Sequence, residues 1–226
     1  MQIIEIYRSI QGESSFAGVP CIFVRLAACN LRCVWCDSEY TFNGGTKMTT
    51  DAVEAEIAQL AGSGLVEFTG GEPMLQEREL VPLMERLLAR GYTVLLETSG
   101  ERSLQNVPRS VHKIVDVKCP GSGECGSFRL SNLEWLTRQD EIKFVLADRK
   151  DYEFASDFTL QHGLENKAGG VIFSPAFLQH PSAQRDASNC QLDPLTLANW
   201  MLEDRLEVRL GLQIHKFIWE PATKGV

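Results

Sequence analysis

Residues 29–38 read CNLRCVWCDS, and the rest of the chain is organised around this stretch. Three residues separate Cys29 from Cys33, and two separate Cys33 from Cys36. A structural zinc site or a ferredoxin-type cluster normally takes four protein ligands. Three thiolates on a four-iron, four-sulfur cluster would leave one iron open, as catalytic metal sites do for a substrate or cofactor. The spacing therefore predicts an open cluster on one short loop, with Trp35 shielding it from water.

Other interpretations of the three cysteines stay open from the spacing alone. They could be half of a zinc site completed by a distant histidine, a group of redox-active thiols, or a chance arrangement. Cys119 and Cys125 could offer additional metal ligands. We expect Cys21 and Cys190 to be buried free thiols.

The totals indicate one ordinary globular domain over residues 1–226. A net charge of −8 argues against broad contact with nucleic acid or an anionic membrane. No apolar run approaches ~18 residues, so we expect no membrane span. The start, MQIIEIYRSI, lacks the pattern of a signal peptide. Seven cysteines without an export signal favour a reducing compartment, so we expect a cytoplasmic protein.

Short β-rich segments alternate with segments of helical periodicity along the chain. The predicted strands are residues 3–10, 21–27, 65–69, 92–97, 111–117, 141–146, 171–173 and 206–214, and the predicted helices begin at 51, 77, 149 and 193. This alternation implies an α/β fold with a parallel sheet and helical crossovers. About six units, fewer than the eight of a closed barrel, predict a partial, open (β/α)6-type barrel. A doubly wound open sheet is the alternative, because periodicity does not distinguish the two.

Polar residues follow several predicted strands at the point where each strand ends. These strand ends read TGGEP at 69–73, ETSG at 97–100, DVKCP at 116–120 and SP at 174–175. Because function collects beyond the carboxyl ends of parallel strands, we expect them to surround one cavity. Gly70 and Gly71 either form a turn that needs positive φ or let the backbone approach a ligand.

Three further features have both a structural and a functional interpretation. Asp116 and Lys118 share a strand face and predict a local ion pair, although Lys118 could also bind a cofactor carboxylate. The run from Gln11 to Glu13 is either a turn or a flat edge of donors and acceptors suited to a pterin or purine. Arg25, inside the apolar strand CIFVRLA, needs a carboxylate or a ligand anion. Glu97 is either solvated or directed into the cavity.

The three-cysteine motif with its aromatic residue resembles the signature of radical S-adenosylmethionine (SAM) enzymes. Together with QGE, TGGEP, ETSG, DVKCPGSG and LQIHKFIW, it closely resembles the 7-carboxy-7-deazaguanine synthase family from about Ile10 to the C-terminus. The resemblance implies a radical SAM lyase of 7-deazapurine and queuosine biosynthesis. Such an enzyme converts 6-carboxy-5,6,7,8-tetrahydropterin to 7-carboxy-7-deazaguanine by ring contraction with loss of ammonia.

The resemblance also implies cofactors, partners and site residues. The cofactors are a 4Fe-4S cluster on Cys29, Cys33 and Cys36, SAM, and Mg²⁺ near Ser38. The implied SAM-binding residues are Trp35, Asp37, Gly71, Ser99, Lys118, Cys119 and Ser174. The implied substrate-binding residues are Ile10, Gln11, Gly12, Glu13, Arg25, Thr69, His215 and Val226, the last through its terminal carboxylate. The implied partners are an electron donor such as flavodoxin or ferredoxin and a second copy of the chain in a homodimer.

Two other function classes share the cysteine loop. A radical SAM activase of a partner protein would not need QGE, Arg25 or HKFIW. A non-enzymatic iron–sulfur electron carrier or a zinc-binding module would show four protein ligands to its metal and no SAM cleavage.

Overall fold

A computed structural model describes residues 1–60, 62–221 and 223–225 of the chain. Its strands are β1 (Gln2–Ile10), β2 (Pro20–Leu26), β3 (Thr46–Lys47), β4 (Leu65–Gly70), β5 (Thr93–Thr98), β6 (His112–Asp116), β7 (Glu141–Leu146), β8 (Gly170–Pro175) and β9 (Arg209–Leu210). Its helices are α1 (Thr50–Gln59), α2 (Glu77–Ala89), α3 (Arg149–His162), α4 (Leu164–Lys167), α5 (Pro194–Glu203) and α6 (His215–Ile218).

The strands form one sheet in the order β3-β1-β2-β4-β5-β6-β7-β8-β9. From β2 onward neighbouring strands are parallel, whereas β1 runs antiparallel to both β2 and β3. Since each right-handed crossover steps in the same direction, the helices lie on one face and the sheet curls around the other. A doubly wound sheet would reverse its strand order part-way. The open partial barrel is therefore confirmed, and the doubly wound alternative is wrong.

The main hydrophobic core lies between the outer face of the sheet and the helices. Helix α2 illustrates it, because Leu80, Leu83, Met84 and Leu87 follow helical spacing and are all fully buried. Burying each such side chain contributes about 1.5–3 kcal/mol. This amphipathic stripe is what keeps the helical layer on the outside of the curl and leaves the inner face free.

The inner face begins with a small apolar floor of Cys21, Phe23, Leu65, Leu95 and Ile114. Side chains on a strand alternate between faces, so the residues two positions further along also point inward. Beyond the floor these inward positions become polar. The polar inward positions are Arg25, Glu67, Thr69, Glu97, Asp116 and Lys143.

The predicted strand over residues 206–214 is wrong for most of its length. Only Arg209 and Leu210 pair with β8. The chain then leaves the sheet, and the Ile214 amide donates to the carbonyl of Gly12, 2.9 Å away. The last segment thus crosses the open side of the barrel instead of extending the sheet.

The described residues also bear on the cysteine and membrane predictions. All seven cysteines lie within the described residues and are free, with Cys21 buried as predicted and Cys190 only half-buried. None of the helices in the described ranges has both the length and the apolar character that crossing a bilayer requires.

Candidate active site

A cavity of about 260 Å³ opens at the carboxyl ends of the strands, on the inner face. Most of the residues singled out from the sequence line it. They are Ile10, Gln11, Gly12, Glu13, Arg25, Cys29, Cys33, Trp35, Cys36, Asp37, Ser38, Thr69, Gly71, Ser99, Lys118 and His215. The expected ring of polar strand ends around one cavity is therefore present for the loops after β1, β2, β4, β5 and β6.

The structure does not bring two of the sequence-predicted side chains to this cavity. Cys119 is buried in the apolar core between the sheet and the helices. The Ser174 hydroxyl donates to the carbonyl oxygen of Gly211, 3.1 Å away, which turns it toward the last strand. A third predicted residue, Val226, lies outside the described residues.

The cysteine loop forms one wall of the cavity, with Cys29, Cys33 and Cys36 each half-buried. The Ala28 amide donates to Thr41 O at 2.7 Å, and the Glu72 amide donates to Ala28 O at 2.9 Å, so both ends of the loop are fixed to the fold. Partial burial raises the pKa of Cys29, and that of Cys33 to about 11. Within the described part of the chain, no three His, Cys, Asp or Glu side chains are grouped as ligands of one metal ion.

Gly70 and Gly71 are required for different reasons, the first for its backbone conformation and the second for the space beside it. Gly70 has a φ of 151°, which only glycine adopts without strain, so the turn interpretation holds for it. A Cβ atom on Gly71 would lie 2.8 Å from Cys29 Cβ and would collide with the Ala28 carbonyl. The missing side chain at Gly71 therefore lets the strand end pack directly against the cysteine loop.

Glu72, in the same motif, is fully buried and was given no role from the sequence. Its carboxylate accepts hydrogen bonds from Met74 N (2.9 Å), Thr98 Oγ1 (2.8 Å), and both the amide and hydroxyl of Ser99 (2.9 and 2.7 Å). These bonds join the TGGEP and ETSG strand ends. The signal in the sequence is the acid between a glycine pair and a proline, but its partners are far away in the chain.

Lys143 on β7 is a second residue that the sequence interpretation missed. Its ammonium donates to Glu13 Oε2 at 2.7 Å, forms an ion pair with Glu97, and lies 4.0 Å from Asp116 Oδ2. The predicted ion pair between Asp116 and Lys118 is confirmed, at 2.7 Å. A lysine at an inward position of the apolar strand EIKFVL carries the same signal as Arg25 does in CIFVRLA.

Arg25 has a structural partner and also faces the cavity. Its Nε donates to Glu5 at 2.8 Å and its guanidinium donates to Tyr7 Oη at 2.9 Å. Glu5 stands directly opposite Arg25 in the β1–β2 pairing. This partner cannot be predicted until the register of the two strands is known. The sequence left a carboxylate and a ligand anion open as partners, and the structure supplies the carboxylate.

Burial and neighbouring charges shift the pKa values of two carboxyl groups that line the cavity, Glu13 and Glu67. Burial raises the pKa of Glu13, but the Lys143 ammonium more than offsets it, and the pKa falls to about 2. Burial, followed by repulsion from Glu97 and Glu13, raises the pKa of Glu67 well above its ordinary value. The Gln11 amide nitrogen donates to Glu67. The two carboxyl groups therefore have pKa values shifted in opposite directions, although they line the same cavity.

The C-terminal segment forms the remaining wall. The His215 ring packs on Gly12 so closely that a Cβ atom there would lie 2.7 Å from His215 Cγ. Lys216 Nζ donates to Asp37 Oδ2 at 2.7 Å, which links this segment to the cysteine loop. Gln213 Nε2 donates to Glu13 Oε1 at 2.9 Å. The HKFIW motif thus contacts both the QGE turn and the CDS step.

The sequence model of the Radical SAM superfamily matches residues 24–119, which include the cysteine loop and the three strand ends that follow it. The cofactors of this protein are accordingly a 4Fe-4S cluster and SAM. The site fits them: three half-buried cysteines face the cavity, and Gly71 gives the loop room to lie against the sheet. Cys29, Cys33 and Cys36 would hold the cluster, with one iron left for SAM.

The chain is 71% identical, over the full length of both, to the 7-carboxy-7-deazaguanine synthase of Koribacter versatilis. It is 41% identical to that of Chlorobaculum tepidum, covering all of this chain and 97% of the relative. Among solved structures, QueE from Escherichia coli has a similar fold, with a TM-score of 0.71 and 24% identity over 93% of this chain and 92% of that one. With this cavity, this cysteine loop and these relatives, the chain belongs to the 7-carboxy-7-deazaguanine synthase family of radical SAM proteins.

Proposed function

We propose that the protein converts 6-carboxy-5,6,7,8-tetrahydropterin to 7-carboxy-7-deazaguanine with loss of ammonia, as a radical SAM lyase of 7-deazapurine and queuosine biosynthesis. The observation that carries the proposal is one cavity lined both by the cysteine loop and by a hydrogen-bonding set for a flat heterocycle. That set comprises Gln11, Glu13, Thr69 and His215.

The residues of the chain have separable tasks in this proposal. When bound, the cluster and SAM supply a carbon-centred radical that removes a hydrogen atom from the substrate. The chain orients the two ligands and excludes water. Trp35, Asp37, Gly71, Ser99 and Lys118 line the part of the cavity next to the cysteines, where we place SAM.

The pterin would lie against the opposite wall. Glu13 offers a fixed carboxylate, since Lys143 and Gln213 hold its two oxygens in place. Arg25 is neutralised by Glu5 and still faces the cavity, so it can donate to the substrate without an excess of buried charge.

Mg²⁺ is a further proposed cofactor. Ser38 lines the cavity, and its hydroxyl lies 3.7 Å from Cys36 Sγ. A hydroxyl oxygen suits a hard cation, which could share the substrate carboxylate as a ligand. We therefore place Mg²⁺ between Ser38 and the substrate.

The decisive experiment is anaerobic turnover of the reconstituted protein. The assay contains SAM, the carboxypterin, Mg²⁺ and a strong reductant, and mass spectrometry identifies the product. We expect 7-carboxy-7-deazaguanine, and a marked loss of rate when Mg²⁺ is omitted. Cleavage of SAM without any deazaguanine would reject this function and favour the activase, which shares the cysteine loop. Four protein ligands to the metal and no SAM cleavage would favour the electron carrier.

The proposal also covers the domain count, the oligomeric state, the electron donor and the cellular location. We propose one domain over residues 1–226, a homodimer, a flavodoxin- or ferredoxin-type electron donor, and a cytoplasmic location. Seven free cysteines suit a reducing compartment. Light scattering of the purified protein tests the dimer, and replacement of the chemical reductant by each donor protein tests the electron source.

A further inference from the structure

Lys143 has a buried ammonium group in the middle of the inner face, and its side chain is only 4% exposed. It reaches carboxylates from three different parts of the fold. Glu13 lies on the turn after β1, Glu97 near the end of β5, and Asp116 at the end of β6. Holding a lysine in so little solvent requires compensating negative charge, and these acids provide it.

The acids outnumber the cation at this end of the cavity. Glu67 stands on β4 with 1% exposure, and the hydrogen bond it accepts comes from the neutral amide of Gln11. Three carboxyl groups, from Glu13, Glu67 and Glu97, therefore lie close enough to repel one another, and only Glu13 and Glu97 contact the Lys143 ammonium. The charged or titratable groups that face this cluster from the packed elements are Tyr7, Cys21, Arg25, Asp116, Lys118, Lys143 and His215.

Not all three carboxyl groups can be charged at acceptable cost. An unpaired buried carboxylate costs several kcal/mol, and a group in that position usually keeps its proton instead. The geometry selects which group does so, because Lys143 contacts Glu13 and Glu97 while Glu67 contacts an amide.

We infer that Lys143 is a positioning residue that decides the charge pattern of this carboxyl cluster, with Glu13 and Glu97 as carboxylates and Glu67 as a neutral acid. The inference rests on the proposed function, because it assigns this end of the cavity to the substrate. An aminopyrimidinone ring presents adjacent N–H donors, which charged carboxylates bind well. A third charge would have no donor to match it.

The test measures binding of the carboxypterin to the oxidised, SAM-loaded protein, where no turnover occurs, between about pH 6 and 9. For Lys143→Met, which keeps the length and removes the charge, we expect binding about tenfold or more weaker at neutral pH. Binding should strengthen as pH rises, because Glu13 without its cation is partly protonated at lower pH. Lys143→Arg restores the charge and should remove this acid-side dependence.

Glu67→Gln tests the same charge pattern without touching Lys143. In the wild type, loss of the Glu67 proton at alkaline pH adds a third negative charge, so binding should weaken there. Glutamine cannot lose a proton, so the alkaline weakening should disappear. This arm tests the neutral state of Glu67 even if Lys143→Met fails to fold, and a wild type that lacks the alkaline weakening would overturn the inference by itself. Retained SAM cleavage by Glu67→Gln reports that the cysteine side of the cavity is intact.

The outcomes separate the inference from the proposed function. Equal, pH-independent binding by the wild type and Lys143→Met would overturn the inference while leaving product formation untouched. The same alkaline weakening in the wild type and Glu67→Gln would also overturn it. Failure of the wild type to form the deazaguanine would instead reject the function itself.

Discussion

Single charged or titratable residues at inward positions of the strands make the cavity polar. Arg25, Glu67 and Lys143 each interrupt an otherwise apolar strand, and each faces the cavity. Alternation along a strand forces such a side chain either into the helical core or onto the inner face. The core is apolar and close-packed, so a charge there needs a buried partner of its own, as Lys113 has in Asp140, 3.0 Å away. In this fold Arg25, Glu67 and Lys143 point to the inner face, where other charged side chains lie close to them.

Glu72→Gln should destabilise the fold. An amide at that position points hydrogens toward some of the four donors that now bind the buried carboxylate. Leaving a buried donor without its acceptor costs about 1–3 kcal/mol, so we expect a loss of about 2 kcal/mol or more in free energy of unfolding. Urea denaturation measures it. Glu85→Gln, at an exposed position of α2, is the matched control and should unfold as the wild type does.

Glu67 should make the fold less stable as pH rises. Its pKa is raised by burial and by neighbouring carboxyl groups, so the native state keeps a proton that the unfolded state releases above its ordinary pKa. The free energy of unfolding then falls with increasing pH, by at most about 1.4 kcal/mol per pH unit for one proton.

Glu67→Gln should flatten this decline. Denaturation of both proteins at several pH values above about 5 gives the comparison. Parallel pH profiles for the two proteins would contradict the assignment of a retained proton to Glu67.

At the scale of secondary-structure elements, α6 depends on its contacts. A helix of four residues is not stable by itself. It is held by the ion pair from Lys216 to Asp37 and by the edge of Phe217 against Phe177, with centroids 5.8 Å apart. Partial burial raises the pKa of Asp37, but the Lys216 ammonium outweighs this and lowers it below its usual value. Asp37 is therefore charged over the working pH range, and the ion pair persists.

Lys216→Met should loosen the link between α6 and the cysteine loop. We expect faster amide hydrogen exchange over residues 212–220 and a several-fold higher KM for the carboxypterin, because His215 loses its fixed position. Lys216→Arg keeps the charge and serves as the control. Unchanged exchange over that segment in the methionine variant would show that the ion pair does not hold the helix.

At the scale of the whole molecule, the sheet is open and the C-terminal segment crosses the opening. The strands end with the two-residue β9 at one edge and β3 at the other. From β9 the chain returns to the turn after β1, where Ile214 bonds to Gly12 and His215 packs on it. One wall of the cavity is therefore formed by the contact between the C-terminal segment and the turn after β1.

Gly12→Ala should break this closure. The added methyl would occupy the space of the His215 ring, so the C-terminal segment must move away from the turn. We expect substrate binding at least about tenfold weaker and faster hydrogen exchange in the segment, with little change in the free energy of unfolding of the sheet. Gly64→Ala, where a Cβ atom meets open space, is the control. Wild-type affinity in Gly12→Ala would show that the contact is not needed.

Much of this arrangement was predictable from local patterns. Helix α2 and the strands before and after it follow from apolar periodicity, and the cysteine loop and polar strand ends follow from residue type and spacing. The strand predicted over residues 206–214 was wrong because its apolar alternation resembles a strand, yet only Arg209 and Leu210 pair with β8, and the Ile214 amide bonds to Gly12 in the QGE turn.

The sequence by itself determined the alternation of strands and helices, the three cysteines on one loop and the family to which they point. These depend on interactions between residues close in the chain, which leave a local signature. Only the tertiary structure decided that Glu5 neutralises Arg25, that Glu72 joins two strand ends, and that Lys143 serves three acids. Such pairings depend on strand register and on the curl of the sheet. Whether a buried charge is compensated depends on the partner that folding brings to it.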